Sequence, residues 1–460
     1  MFAIPGICAL IVFILARPQE FFTLLQRVPF LHLFTVLAVL GWVVDIRLRR
    51  LQPIAAPSLP WVVALFLWAL VCVATKAPAG LIGRTVELAI LFAIYGTIAH
   101  GIQRFRTFQA VAGVLVASCL FISVLCFHEG MSPTQCVGGV EGEGGVEGTP
   151  DGRECDNKLQ CLLGPEAEPG LDYRCEHVGA FGMYSVEGRV RYIGELHDPN
   201  EVALVISTGA LSMLIGFMLR KRGVGAQLAL AAGVVLVVWT VLMTQSRGGL
   251  IVALMVPGVY VIRRYGLISL IPAGLLALPV LMLTGRSGES ADMSTQLRYE
   301  AWAAGLQMFR QSPLLGTGGP KTFTDHHFIA AHNSYVLTLA EMGLPGLFLF
   351  VTVIYLSIKT VIVGLRELRD VPGTNAAQVW GMALLASLFG AVFQINTLSF
   401  AYHSALWILI GLSGAWFSCV RNHRPEFKVG ITWRDFFIIV TFVVAYAFLL
   451  LPLLLRSKGH

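Results

Sequence analysis

Long apolar segments recur along almost the whole chain, and they constrain the fold more than any other feature of the sequence. Each comes close to the roughly 20 residues that a helix needs to cross the hydrocarbon core of a bilayer. About thirteen segments meet this criterion. They lie near 2–16, 29–45, 59–75, 84–101, 107–127, 199–219, 225–244, 248–263, 267–284, 334–363, 376–396, 401–419 and 434–455.

Charged residues make up only 13% of the 460 residues, whereas soluble domains carry about 25%. The sequence therefore predicts an all-α polytopic membrane protein with about 12–13 transmembrane helices. Because the apolar segments cover nearly the whole length, we expect one membrane domain over 1–460. The first segment is short, and an interfacial position is the alternative for it.

Lysines and arginines follow every even-numbered segment. They are Arg47, Arg49 and Arg50; Arg104 and Arg106; Arg220, Lys221 and Arg222; Arg263 and Arg264; Arg366 and Arg369; and Arg421, Arg424 and Lys428. Basic loops stay in the cytoplasm, so we expect a cytoplasmic N-terminus and two long outer loops at 128–198 and 285–333. The net charge of +6 reflects this distribution and does not indicate a nucleic-acid partner.

The first outer loop holds four of the nine cysteines, Cys136, Cys155, Cys161 and Cys175. In an extracytoplasmic loop this number predicts two disulfides, and the three possible pairings stay open. The spacing lacks the C-x₂-C pair typical of zinc sites, and no metal is predicted. A run of glycine and glutamate at 138–152 cannot build a packed core.

The second outer loop predicts an amphipathic helix over 294–313, because its apolar residues recur at helical spacing. Ser294 or Thr295 could cap this helix, and Pro313 ends it. We expect it to lie on the outer membrane surface. The following glycine-rich turn at 314–323 does not have the spacing of a phosphate-binding P-loop, which argues against nucleotide binding.

A helix break is predicted shortly after this loop. Gly343, Pro345 and Gly346 interrupt the apolar segment that begins after His332, because proline removes a backbone donor and clashes with the preceding turn. Broken helices at membrane depth are tolerated where they line a cavity or pack on protein. A half-helix over 333–341 would hold the histidine at a cavity mouth.

Four of the ionisable residues on the predicted outer side could form one site, Arg191, Arg247, Arg298 and His332. Ionisable groups at membrane depth are functional hypotheses by default, and guanidinium groups match phosphate oxygens two at a time. The amides of nearby glycines could also approach a phosphate. These glycines are Gly248, Gly249, Gly316, Gly318 and Gly319.

Each arginine also has a plainer interpretation. Arg247 could end a helix among lipid headgroups, Arg298 could bind lipid phosphate without specificity, and Arg191 could be a solvated loop charge.

Four stretches between about 190 and 350, taken in order, resemble the O-antigen ligase and polymerase superfamily of the bacterial inner membrane. They are RYIGELHDPN, TQSRGGL, LRYEAWAAGLQMFRQSPLLGTGG and HNSYVLTLAEMGLPGLFLF. The resemblance implies transfer of a glycan from a polyprenyl diphosphate, expected to be undecaprenyl diphosphate, on the periplasmic side. It also implies inversion at the anomeric carbon, without a nucleotide sugar, a cofactor or a catalytic metal.

Residue roles follow from the same resemblance. Arg247, Arg298 and His332 match the catalytic positions, and Arg191 matches an arginine that precedes the Pro-Asn pair. Further residues for the diphosphate or the substrate are Arg189, Lys321, Asn333 and Glu341.

The expected chemistry agrees with these roles. Charge develops on the diphosphate leaving group, where preorganised donors are each worth about 10²–10³ in rate. His332, with an ordinary pKa of about 6.5, could take the proton of the acceptor hydroxyl or could orient a substrate. The alternative bases are Glu195, Asp198, Asp325 and Glu341.

Several functions stay open. The two arginine-bearing outer loops slightly favour a polymerase of lipid-linked repeat units over a ligase that transfers the glycan to lipid A-core. A protein O-oligosaccharyltransferase is a further alternative. A secondary transporter or a lipid-linked glycan flippase also fits many spans with one broken helix, but the sequence shows no inverted repeat. Membrane lipids and chain-length or export proteins are the other expected partners, and nucleic acid is not.

Overall fold

The computed structural model describes residues 1–139, 148–164, 167–168, 170–220, 223–269, 271–272, 274–275 and 289–459. Eleven helices in these ranges are long and apolar enough to cross a membrane, and the first helix is a shorter apolar one. The polytopic all-α fold is therefore confirmed. The segment predicted at 267–284 lies mostly outside the described residues.

The helices are numbered in chain order. They are α1 (Ala3–Leu15), α2 (Phe30–Arg47), α3 (Leu59–Lys76), α4 (Leu81–Gly101), α5 (Phe105–Met131), α6 (Lys158–Leu163), α7 (Pro199–Met218), α8 (Val224–Met243), α9 (Arg247–Tyr265), α10 (Glu289–Gln311), α11 (Ser334–Glu367), α12 (Asn375–Gln394), α13 (Ser404–Arg421) and α14 (Trp433–Ser457).

Helix α13 lies at the centre of the bundle. Buried residues make up 89% of its membrane-spanning window but only 17% of that of the more apolar α8, whose side chains are left to face lipid. Small residues bring α13 close to its neighbours, since a Cβ added to Gly414 would lie 2.6 Å from the Cβ of Ala99 on α4. Such close backbone approach is the usual basis of helix association in lipid, where apolar surface gives little driving force.

A polar contact joins α7 to α12 inside the apolar core. Helix α7 contains a π-turn at Ser207–Leu211, which changes the normal pattern of backbone hydrogen bonds. The hydroxyl of Ser387 donates to the Thr208 carbonyl at 2.6 Å and lies 2.7 Å from the Ser212 hydroxyl. The serine therefore provides a donor where the helix has departed from its regular form.

The first outer loop contains a small sheet that the sequence did not predict. Strands β1 (Thr134–Gly138), β2 (Thr149–Glu154) and β3 (Tyr173–His177) pair antiparallel in the order β2-β1-β3. Disulfides join Cys136 to Cys161 and Cys155 to Cys175. They connect the sheet to α6, and most of the glycine-glutamate run, 140–147, lies outside the described residues.

The helix of the second outer loop begins earlier than predicted. Helix α10 starts at Glu289 instead of after a cap at Ser294 or Thr295, and it ends at Gln311, just before Pro313. Its residues Ala301 and Phe309 are buried in the protein core. One face of α10 therefore packs on the helical bundle.

We expect the four loop cysteines to resist alkylation in unreduced protein and to react after reduction. A disulfide that closes a loop of this size stabilises a fold by about 3 kcal/mol. Trypsin should therefore cut the loop faster in a Cys136→Ser/Cys161→Ser variant, as measured by the mass of the fragments. Cys72 is a free, buried cysteine, so its alkylation should not change on reduction, and it serves as an internal control. Full alkylation of all four loop cysteines without reductant would contradict the expectation.

Candidate functional site

Two of the quoted sequence stretches meet where α7 and α9 begin. Ser246 caps α9 by accepting a hydrogen bond from the Gly249 amide at 3.0 Å, and it donates to Asn200 Oδ1 at 2.6 Å. Asp198 caps α7 and accepts from the backbone and side-chain nitrogens of Asn200, each at 2.8 Å. Arg247 is the exposed first residue of α9.

The two arginines of the loop before α7 have different surroundings. Arg189 donates to the Thr244 carbonyl at 3.0 Å and to Asn200 Oδ1 at 3.4 Å, so it lies at the junction of α7 and α9. Arg191 donates to the Tyr184 carbonyl at 3.0 Å, and its guanidinium lies 4.3 Å from the centre of the Tyr184 ring. Arg189 is therefore the loop arginine tied to the helix that Arg247 begins.

Helix α10 is joined to the segment that carries His332. The indole nitrogen of Trp302 donates to the Ala331 carbonyl at 2.8 Å, and Arg298 lies one turn before Trp302 on the same helix. His332 has a left-handed backbone with φ +46°. The side chain of Asn333 then caps α11 by accepting from the amides of Tyr335 and Val336.

The end of α12 and the connection that follows it, residues 395–403, form hydrogen bonds with the start of α7 and with the start of α11. Gln394, the last residue of α12, donates to the Asn200 carbonyl at 2.9 Å. The Ser334 hydroxyl donates to the Leu398 carbonyl at 2.7 Å. The start of α7 and the start of α11 are thus fixed to one short stretch of backbone.

Arg247 and His332 consequently lie at the same end of the bundle, the end that the charge pattern predicts to face outward. Arg298 lies near this end because its helix, α10, is bonded through Trp302 to the residue before His332. All three have interactions with other residues of the protein, so they are parts of a packed arrangement.

The predicted helix break is confirmed, and it falls at Gly343, whose φ is +65°. The break leaves carbonyls of the half-helix without helical donors. The amides of Thr317 and Gly319 donate to the carbonyls of Ala340 at 2.9 Å and Glu341 at 2.8 Å, respectively. The indole of Trp68 donates to the Met342 carbonyl at 2.9 Å.

The glycine-rich turn therefore caps a helix. The expectation that the amides of Gly318 and Gly319 could approach a phosphate is wrong, because both donate to the Glu341 carbonyl. Their positive φ angles, +130° and +95°, are conformations that favour glycine. The turn could be recognised as glycine-rich from the sequence, but its partner lies about twenty residues further along the chain.

Two predicted substrate residues lie around this turn. The side chain of Glu341 is 0% exposed and accepts from the Phe323 amide at 3.1 Å. Lys321 forms an ion pair with Glu87 at 2.9 Å on the surface. Burial and the nearby Glu341 carboxylate raise the pKa of Tyr402 well above its ordinary value. Glu341 is thus enclosed by protein in this structure.

The remaining alternative bases are separated. Asp198 is engaged in capping α7, and Asp325 is exposed in the turn before His326. Glu195 lies 3.9 Å from Arg17 and 4.0 Å from His403.

His403 is part of the α12–α13 connection. Its Nδ1 accepts from the Ala405 amide at 3.1 Å, and its ring stacks on Phe400 at 3.9 Å. Burial lowers the pKa of His403, which agrees with a neutral ring whose Nε2 donates to the Glu195 carbonyl at 3.3 Å.

Sequence reasoning missed Arg17, Ser246, Gln394 and the bridging role of Asn200. Arg17 had a signal, because it is a lone charge directly after the first apolar segment. Gln394 is an unremarkable polar residue at the end of an apolar run, and only the fold shows its partner.

Residues 232–351 match the family model described as O-Antigen ligase. The match covers about a quarter of the chain. The matched range contains Arg247, Arg298 and His332, and the predicted superfamily is confirmed. None of the curated proteins that were compared matches the chain.

Replacing Gly343 with alanine should destabilise the protein. The added Cβ would overlap the Leu314 carbonyl oxygen, and a residue held in an unfavourable backbone conformation costs about 1–3 kcal/mol. We expect a lower Tm for detergent-solubilised Gly343→Ala, measured by thermal unfolding. The matched control is Gly113→Ala in α5, where a Cβ meets nothing within 4 Å, and an unchanged Tm for Gly343→Ala would contradict the capping arrangement.

Proposed function

We propose that the protein transfers a glycan from undecaprenyl diphosphate to an acceptor hydroxyl at the periplasmic face of the bacterial inner membrane. The observation that carries the proposal is the O-antigen ligase match, which spans Arg247, Arg298 and His332. Contacts at the end of α12 support it. Gln394 donates to Asn200, which also accepts from Ser246 beside Arg247, and the Leu398 carbonyl accepts from Ser334, two residues after His332.

In the proposed reaction the acceptor oxygen attacks the anomeric carbon from the side opposite the diphosphate. The bond between this carbon and the diphosphate oxygen breaks, and the configuration inverts. Arg247 and Arg298 stabilise the charge that develops on the leaving diphosphate, since guanidinium groups keep their charge and bind phosphate oxygens in pairs. Arg189 contributes from the α7–α9 junction.

His332 is the proposed acceptor of the hydroxyl proton. Its ordinary pKa of about 6.5 allows it to take a proton near neutral pH. Its position in the loop before the cap of α11 leaves the imidazole outside the regular helix. The proton balance of the transfer then requires no metal ion.

The acceptor sets the biological role. We favour a polymerase, whose acceptor is a second lipid-linked glycan, because two long outer loops with arginines suit two anionic lipid-linked substrates. Transfer to lipid A-core by a ligase, or to a protein hydroxyl, uses the same donor chemistry. The lipid tails would lie among the exposed apolar side chains of the peripheral helices.

Loss of His332 or Arg298 should abolish function in cells. We expect a strain with this gene deleted, complemented with His332→Ala or Arg298→Ala, to behave like the deletion on a glycan gel. Removing one preorganised donor costs about 10²–10³ in rate. Arg310→Ala is the matched control, because Arg310 is an exposed arginine near the end of the same helix.

The gel also separates the acceptors. Single repeat units on the lipid anchor in the deletion strain indicate a polymerase, whereas long chains that stay on the polyprenyl carrier indicate a ligase. Full restoration of polymer by normally expressed alanine variants would refute the site and favour a transporter or flippase.

Purified protein should transfer glycan without a metal ion. With undecaprenyl-diphosphate glycan and acceptor, we expect the same initial rate with and without a chelator, because the arginines supply the positive charge. NMR of the product should show an inverted anomeric configuration. A rate that collapses with chelator and recovers with one divalent ion, or a retained configuration, would overturn this mechanism.

A further inference from the structure

A cleft of about 420 Å³ lies between the ends of α3 and α10 and the glycine-rich turn. Lys76 lines it from the end of α3, and Gln311 from the end of α10. Thr317, Asp325 and His326 line it from the turn and the residues that follow. The reaction proposed above assigns no role to the side chains that line this cleft.

The side chains that line the cleft include both hydrogen-bond donors and hydrogen-bond acceptors. Within the described residues, the side chains of Lys76, Gln311 and Asp325 form no hydrogen bond or ion pair with another side chain or backbone group. His326 uses Nδ1 on the Thr322 carbonyl at 2.9 Å, which leaves Nε2 available. The cleft thus presents an ammonium group, an amide, a carboxylate and an imidazole.

The charge of the lining argues against an anionic ligand. The Lys76 ammonium is balanced by the Asp325 carboxylate, and no arginine is among the described residues that line the cleft. Phosphate sites normally concentrate positive charge and guanidinium groups. A carboxylate beside an amide instead suits neutral hydroxyl groups, which donate and accept at the same time.

Apolar surface accompanies these polar groups. Met308 and Ala77 also line the cleft. Phe328, two residues after His326, is 73% exposed, and its ring stacks on His327 at 4.7 Å. A sugar ring has polar edges and apolar faces, and pockets for small ligands combine apolar surface with a few placed polar groups.

We propose that this cleft binds uncharged sugar residues of a glycan chain, at a distance from the bond that is made or broken. The inference rests on the proposed function and deepens it.

The position of the cleft supports such a remote subsite. Thr317 lines the cleft and also caps the half-helix that begins just after His332. This half-helix runs from Ser334 to Met342, about 13 Å at 1.5 Å per residue. A glycan longer than one sugar can therefore occupy the cleft while its reacting end lies at the histidine.

The first test measures binding without catalysis. The protein in lipid nanodiscs is titrated with repeat-unit oligosaccharides released by mild acid from the lipid-linked glycans of the producing strain, so that the probe carries no diphosphate. We expect saturable binding in saturation-transfer NMR and calorimetry. Gln311→Trp should weaken binding at least tenfold by filling the cleft, and Asp325→Ala should weaken it severalfold.

The matched control is Gln307→Trp. Gln307 is an exposed glutamine one turn earlier on α10, and it does not line the cleft. Its substitution should leave oligosaccharide binding unchanged. If Gln311→Trp fails to fold, as judged by gel filtration and Tm, Asp325→Ala together with Lys76→Ala replaces it.

The outcomes separate this inference from the proposed function. His332→Ala should bind the oligosaccharide as the wild type does while losing transfer. The inference would be overturned, even if transfer occurs, by any of three results. The wild type does not bind the oligosaccharide, the cleft variants bind it as well as the wild type does, or inorganic phosphate competes with it. In the transfer assay, a Gln311→Trp variant with a raised KM for acceptor places the acceptor glycan in the cleft, and a raised KM for donor places the donor glycan there.

Discussion

The hydrogen bonds that the end of α12 makes with two distant parts of the chain support the rest of the candidate site. The side chain of Gln394 donates to the Asn200 carbonyl. In the connection that follows, the Leu398 carbonyl accepts from the Ser334 hydroxyl. Through Asn200 the arrangement reaches Ser246 and thus the start of α9. This stretch therefore links the helix that begins with Arg247 to the helix that begins after His332.

The break at Gly343 follows from a related constraint. A backbone carbonyl that leaves a helix inside a membrane protein needs another donor, because unpaired polar groups are costly away from water. The turn at 316–319 and the indole of Trp68 supply these donors. The glycines of the turn are needed because the donating backbone passes so close to the half-helix that a Cβ at Gly316 would overlap the Glu341 backbone.

Features encoded over short distances were predictable from the sequence. The apolar segments, the end of α10 before Pro313, the cap at Asp198 and the break at Gly343 all depend on neighbouring residues. The small sheet in the first outer loop was not predicted, because its strands are short and stabilised by disulfides instead of a hydrophobic pattern. The partners of the glycine-rich turn and of Gln394 were also missed, since a sequence motif does not indicate which distant carbonyl it will meet. The bond from Trp302 to Ala331 places the helix of Arg298 beside the segment that carries His332.

The long separation between bonded residues has a consequence for how the protein is made. Trp68 donates to a carbonyl 274 residues later, and the partner of Asn200 comes 194 residues later. Helices that leave the ribosome early must therefore reside in the bilayer with polar groups still awaiting their partners. The candidate site is complete only after α12 and the connection behind it have been inserted. A nascent chain that stops short of α12 therefore lacks the hydrogen bonds that join the start of α7 and the start of α11 to the end of α12.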